Sequence, residues 1–432
     1  MTHLRSKFEA TYEKLFEGQP ISTISPHVDP DKFWSDIFEL QVDSTWLASR
    51  FGRLSKDECV NEQKILLSSL FNEALELFVH VGYKDPRKAN ALETMVVFLR
   101  SILQKDLAGW EVMDILAGNV SESDRVFRQL VEGIETVLES PDAPVDLKHR
   151  TLQLALVFAC GIGQLSPGAY MLRRDLFPVI VMLIKSPDTA PFTFEAVLLL
   201  SILANYHKTE AANLNPYLKR LRGSVDHMFL NKVSWALGFA FDTATKAYQT
   251  IQDDAPPTIV SSFGTFLTAL RPDRALSSTP VETPRELFKD QPIEAAVMLL
   301  PLYELFQLNQ VFSSVVIESL SVETPSNRSP MIFSLLSLAS YIFAHASSVG
   351  TPRSLAYANL TMRIYLSIAH EESMTAKLAR ESGNVRICRQ VSVLIGEKWL
   401  VLDKYYSGYP NFPNPQRRDQ YYAPCLTVAS SI

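Results

Sequence analysis

Between Phe194 and Leu221 the chain reads FEAVLLLSILANYHKTEAANLNPYLKRL. An almost unbroken apolar run, Ala196 to Ala204, lies between Glu195 and the polar Asn205, His207 and Lys208. It is too short to cross a bilayer, which needs about 20 apolar residues. Its composition is helical, and a helix apolar nearly all round is one buried among other helices. Leu199 and Leu203 are therefore predicted to be fully buried. A polar link follows, then Asn215-Pro216. Proline suits the first turn of a second helix, where its missing N–H costs nothing. A buried helix, a polar turn and a second helix form the unit of helical-repeat proteins.

The same rhythm runs along the chain. Leu4 to Phe16 is amphipathic, with Phe8, Tyr12, Leu15 and Phe16 on one side. Asp31 is placed to cap a helix carrying Phe33, Trp34, Ile37 and Phe38. Lys56 to Val79 reads as one long helix, with Ile65, Leu66, Leu70, Phe71, Ala74, Leu77 and Phe78 facing the core. Asp85-Pro86 opens the next, and later segments begin near Ser121, Pro144, Ser166 and Pro191. Apolar spacing stays near three and four, without strand-like alternation, up to about Val401. No strict period is present, so any repeats are degenerate.

The Ala196–Leu200 run (AVLLL), the Asn205-Tyr206 pair and Asn215-Pro216-Tyr217 carry a resemblance to a known family. Phe33 to Val42 (FWSDIFELQV) and Glu294 to Phe312 (EAAVMLLPLYELFQLNQVF) support it. With gaps, from about Phe8 to about Arg389, the chain resembles the armadillo-like helical domain-containing protein family, the group numbered three. That family is a Golgi-associated scaffold of eukaryotes, fungi included. The resemblance implies an all-α, armadillo/HEAT-like α-solenoid of degenerate helical repeats. It implies a non-enzymatic scaffold in the cytoplasm and at the cytoplasmic face of the Golgi, peripheral to the membrane. The implied protein partners are a type III beta phosphatidylinositol 4-kinase and a large Arf exchange factor. The implied roles are Golgi phosphoinositide supply, Golgi organisation and secretion. The family continues into a further helical region beyond this chain's end. A truncated gene model or alternative product, diverging near Gly396, is expected.

Breaks in the pattern give the domain division: a helical solenoid over 1–251, a Pro/Ser/Thr-rich insertion over 252–292, a continuing solenoid over 293–404 and a disordered tail over 405–432. The insertion is too long for a link between packed helices. Inside it, Ile259, Phe263, Phe266, Leu267 and Leu270 fall on one helical face opposite Ser, Thr and Gly. That composition suits a helix that enters loosely packed membrane; docking on the solenoid is the other reading. Thr279-Pro280 and Thr283-Pro284 suit a proline-directed kinase, and an unmodified loop stays equally open.

Lys219, Arg220 and Arg222 form a basic cluster that can meet an acidic partner or a phosphoinositide headgroup, and Arg173-Arg174 form a second. A solvated helix end is the ordinary reading of both. Met331 to Val349 is long enough to span a membrane and free of Asp, Glu, Lys and Arg. It reads as a packed solenoid helix, and an integral membrane anchor is the alternative.

Catalytic patterns are missing. His370-Glu371 has no second histidine at zincin spacing, and no P-loop, nucleophile elbow or dinucleotide fingerprint occurs. The histidines do not cluster with acids or cysteines, and His207 reads as a helix-end residue. The four cysteines are far apart, without a CxxC pair, as in a reduced protein. With a net charge of -6, the chain gives no electrostatic reason to expect nucleic acid. The N-terminal residues have no signal-peptide core. No catalytic residue, cofactor, metal or small-molecule substrate is predicted.

Overall fold

The computed structural model describes residues 6–24, 29–162, 167–206, 215–252, 288, 291–321, 329–381, 383–388 and 393–395. Described residues up to Leu218 form one compact unit, and those from Lys219 onward form a second. The fold is all-α and armadillo-like, with one pair of three-residue strands among the described residues.

The first unit holds α1 (Lys7–Phe16), α2 (Ile21–Ile24), α3 (Pro30–Ile37), α4 (Ser44–Arg53), α5 (Lys64–His80) and α6 (Pro86–Leu103). It continues through α7 (Gly109–Ala117), α8 (Ser123–Glu139), α9 (Val145–Ile162), α10 (Gly168–Arg173), α11 (Phe177–Lys185) and α12 (Thr193–Asn205). Local chemistry starts these helices where the chain turns polar. Ser6 accepts from the Glu9 N–H at 3.1 Å, Asp43 from Trp46 at 2.9 Å, and Asp85 from Arg87 at 2.9 Å with Pro86 in the first turn. Phe8, Tyr12, Leu15 and Phe16 are buried along α1, one face of a 3.6-residue period. Helix α6 packs on α4, α5 and α9, and α12 packs on α9 and α11. At the α6–α9 crossing a methyl on Gly161 would meet Leu103 Cδ1 at 2.6 Å, so only glycine permits this approach. Leu199 and Leu203 in α12 are fully buried, as the apolar run predicts.

The division falls within α13 (Pro216–Arg222). The second unit continues with α14 (His227–Gln252), α15 (Leu299–Leu308), α16 (Gln310–Leu320), α17 (Met331–Val349), α18 (Pro352–His370) and α19 (Glu372–Arg380). Helix α14 packs along α17 and α16, α15 packs on α18, and α17 on α18. Gly350 closes α17 at φ 62°, the left-handed conformation that glycine adopts without strain.

Three expectations are corrected. Asp31 is not the cap of α3: the helix starts at Pro30, and the Phe33 N–H donates to the Asp29 carbonyl at 2.9 Å. The Lys56–Val79 segment is not one helix. A π-turn at Glu58–Glu62 precedes α5, and Ile65 is 82% exposed instead of facing the core. The helical pattern does not run to Val401. The last described helix ends at Arg380, and β1 (Gly383–Val385) pairs antiparallel with β2 (Val393–Ile395). The Phe333 ring of α17 occupies the place where a Cβ of residue 383 would stand, so Gly383 lets β1 lie directly on that helix.

Candidate functional site

The stretch that most constrains the sequence proves to be a hydrogen-bonded joint. Asn205, at the end of α12, donates from Nδ2 to the Ser201 carbonyl at 2.6 Å. The Tyr206 hydroxyl donates to the Ala159 carbonyl on α9 at 2.5 Å. Buried Asn215 works in both directions. Its Nδ2 donates to the carbonyls of Leu203 at 2.8 Å and Tyr206 at 3.1 Å, closing the end of α12. Its Oδ1 accepts from the N–H groups of Tyr217 at 3.0 Å and Leu218 at 3.1 Å, capping the start of α13. The Tyr217 hydroxyl then donates toward the carbonyls of Met171 (2.7 Å) and Arg174 (2.6 Å) and accepts from the Leu176 N–H. Burial pushes both phenols far above the ordinary tyrosine range. These side chains pack and cap; they are not placed to ionise.

Asn309 repeats the device in the second unit. Its Nδ2 donates to the carbonyls of Leu221 (2.9 Å) and Ser224 (2.8 Å), and its Oδ1 caps α16 through the Phe312 N–H at 2.9 Å.

The basic cluster occupies the last turn of α13, where the helix dipole favours cations. Lys219 and Arg220 are exposed; Arg222 is half-buried, its Nε shielded and without a hydrogen-bond partner. Arg173 and Arg174 are already engaged by acids. Arg174 reaches Glu132 at 3.1 Å and also Glu135, while Arg173 lies 3.6 Å from Asp124 and over the Tyr170 ring. Ile259, Phe263, Phe266, Leu267 and Leu270 lie outside the described residues, as do Thr279, Thr283 and His207.

The candidate anchor, Met331–Val349, is α17. It is the one helix long and apolar enough to cross a membrane among the described residues, and 67% of its spanning window is buried inside the protein. Some of its polar atoms are engaged there: Ser337 Oγ donates to the Phe333 carbonyl at 2.9 Å, and His345 Nδ1 lies 2.9 Å from the Tyr248 hydroxyl on α14, while Ser334 Oγ and His345 Nε2 are buried without a hydrogen-bond partner. Phe288 stacks on the same imidazole at 5.0 Å. Burial, with Arg353 nearby, holds His345 below the ordinary histidine range.

Among the described residues no three His, Cys, Asp or Glu side chains gather as a metal site. Cys59 and Cys160 are buried free thiols, and burial pushes Cys160 up to about 12.

Two features were not read from the sequence. Lys88, only 2% exposed, donates from Nζ to the Val81 carbonyl at 2.9 Å and to that of Phe78, at the C-terminal end of α5. It stands over the rings of Phe78 and Tyr83 and lines a cleft of about 290 Å³ with Gly82, Gln129 and Thr136. Burial lowers its pKa. Nothing in the spacing marks a lysine in the first turn of one helix as the cap of another. The second feature is the outward face of α14. Trp235 and Phe239 stack there with centroids 5.8 Å apart and stay 41% and 36% exposed, while Met228 is 51% and Val225 71% exposed. A helix that is apolar on both faces gives weak periodicity, which hides such a stripe.

No family model matches the chain, and no solved structure matches it. It is similar to armadillo-like helical domain-containing protein 3 of Homo sapiens, 25% identical over 323 residues, which make up 73% of this chain and 43% of that protein. The Xenopus laevis protein of the same name is 24% identical over 322 residues, again 73% of this chain and 43% of the relative. A Schizosaccharomyces pombe protein named UPF0588 membrane protein is 25% identical over 367 residues, 83% of this chain and 57% of its own length. The matched region spans less than half of the vertebrate relatives. The resemblance carried by the packing residues is thereby shown: over about three quarters of its length this chain is similar to the armadillo-like helical domain-containing proteins numbered three.

Proposed function

We propose that this chain is a non-enzymatic helical scaffold that works at the cytoplasmic face of the Golgi. On this reading it gathers a type III beta phosphatidylinositol 4-kinase and an Arf exchange factor, and so supports phosphoinositide supply, Golgi organisation and secretion. The observation that carries a scaffold is the similarity to armadillo-like helical relatives. The chemistry of the joints agrees with it, since Asn215, Tyr217, Asn309 and Lys88 all spend their polar atoms on main-chain groups. Lys219, Arg220 and Arg222 stay candidates for an acidic partner or headgroup, and Ile259 to Leu270 for a membrane contact. The test is a pull-down from cell extract with the full chain as bait, read by mass spectrometry. Recovery of the kinase and the exchange factor, reversed by scaffold surface variants, supports the reading; their absence under conditions that recover other partners sinks it.

A second reading, an integral protein anchored through Met331–Val349, draws on the length of α17 and on the fission-yeast relative's name as a membrane protein. Burial of the same helix against α14 and α18 speaks for the scaffold. Alkaline carbonate extraction separates the two, because a peripheral scaffold is released and a spanning protein is retained.

A further inference from the structure

We propose that the outward stripe of α14, together with the basic end of α13, is the surface through which this protein lies on an anionic bilayer. The proposal rests on the peripheral reading above and assigns it a face. Met228, Trp235, Phe239 and Lys246 stand at i, i+7, i+11 and i+18 of α14, one line along a 3.6-residue helix. From Met228 to Phe239 that line is about 17 Å long. Its apolar members are large and water-facing, at 51%, 41% and 36% exposed, and the stacked Trp235–Phe239 pair presents one continuous aromatic surface. The opposite face of α14 is fully packed: Phe229, Val233, Ala236, Leu237, Ala240, Phe241 and Ala244 are buried. The stripe therefore lies on the side of α14 turned away from its buried face.

Charge identifies the occupant. Lys246 is exposed on the stripe and Lys232 is half-buried beside it, against one acid, the half-buried Asp242. Lys219 and Arg220, both exposed, end the preceding helix. Only Gly223 to Asp226 separate that helix from α14, and Asn309 fixes the link by binding the Leu221 and Ser224 carbonyls. Val225, 71% exposed, projects from it. The acids nearby are Asp226, whose carboxylate accepts from the Phe229 N–H at 3.0 Å and so caps α14, and Glu318, 3.9 Å from His227. In a chain of net charge -6, basic side chains thus outnumber acidic ones beside the exposed Trp235–Phe239 pair. Tryptophan prefers the headgroup level of a bilayer, and lysines reach past it to anionic phosphates. Each basic residue near such a surface adds about a fivefold gain in binding, within a Debye length.

The test uses the full chain with vesicles of phosphatidylcholine alone or with about one fifth phosphatidylserine. Co-sedimentation is expected with the anionic vesicles and not with the neutral ones, and raised salt weakens it. Lys219→Gln with Arg220→Gln should weaken binding about thirtyfold. Trp235→Ser with Phe239→Ser should weaken it about tenfold or more, with melting unchanged. Brominated lipid should quench the wild-type tryptophan fluorescence and quench Trp235→Phe less, a variant that keeps the bulk and the fold. The proposal is overturned if the wild type ignores anionic vesicles, if neither double variant weakens binding, or if quenching is the same in Trp235→Phe. A dimer that the serine variant converts to monomer makes the stripe a self-interface and also overturns it. If vesicle binding fails while the pull-down still recovers its partners, the face assigned here is wrong and the scaffold reading stands.

Discussion

Replacing Asn215 by alanine isolates the joint between α12 and α13. The side chain is buried and makes four good bonds, two donated to the Leu203 and Tyr206 carbonyls and two accepted from Tyr217 and Leu218. Loss of an N-terminal cap costs about 1 kcal/mol. Each main-chain group left buried without a partner costs about 1–3 kcal/mol, less where water enters the space that the amide leaves. The sum expected is about 3 kcal/mol. For a unit of roughly 200 residues, 1 kcal/mol moves the melting temperature by about 2–4 °C, so the fall should be about 6–12 °C. Asn215→Ser keeps the cap but not the donors and should recover about 1 kcal/mol of the loss. Asn215→Asp keeps volume and acceptors but aims a carboxylate at two carbonyls, and should be no better than alanine. Calorimetry reads the melting, and hydrogen exchange at the Tyr217 and Leu218 amides reads the joint itself; with two compact units, the local probe assigns the transition. If Asn215→Ala melts within about 1 °C of the parent, or Asn215→Asp matches the wild type, the two-way cap contributes nothing and the argument fails.

Leu199→Asp places an unpaired carboxylate in a fully buried helix and should cost at least about 4 kcal/mol; a variant with parental melting would show that α12 is not core. His345 has its pKa lowered in the folded protein, so between that depressed value and the ordinary value of about 6.5 the unfolded chain binds more protons than the native one. Its contribution is therefore complete above about pH 6.5 and declines as pH falls below it, and denaturant titrations against pH should show a shallower acid slope for His345→Gln. Lys88→Met keeps the stem but leaves the Phe78 and Val81 carbonyls without their donor, and a loss of about 2 kcal/mol should appear in urea unfolding. An unchanged midpoint would mean that relief of the buried charge offsets the lost bonds.

The helices most legible in the sequence are those whose ends carry their own chemistry. Asp85-Pro86 marks the start of α6, and the 8-12-15-16 spacing marks the buried face of α1. Leu199 and Leu203 were readable because a run apolar on all sides has only one stable environment. Ile65 was misread because Ile65, Leu66 and Leu67 are equally apolar, and phase alone decides which of them points inward. The π-turn at Glu58–Glu62 breaks the continuity from Lys56 that would have carried that phase. Its buried partners, Leu67, Leu70, Phe71, Ala74, Leu75 and Phe78, set a register that leaves Ile65 outside. Of the basic cluster, the sequence showed the charges but not that Arg222 turns partly inward. The aromatic stripe of α14 was hidden because Trp235 and Phe239 lie among buried residues of similar character, and only tertiary packing decides which face is covered. The polar joints were visible as residue types and invisible as bonds, since their partners are main-chain atoms.

That last property reaches beyond this fold. A side chain that binds a carbonyl or an N–H has a partner supplied by every residue type. Leu203, Tyr206 and Leu218 can each be exchanged for another residue without touching the bonds that Asn215 makes to their main chains. Joints of this kind place no demand for matched change on the positions they bind. The apolar neighbours are free to drift in identity as long as volume is kept, while the asparagine itself has no substitute that both donates and accepts at that reach. Divergence in such a chain should accumulate in the cores and spare the corners, and pairs of positions that change together should be scarce around Asn215 and Asn309.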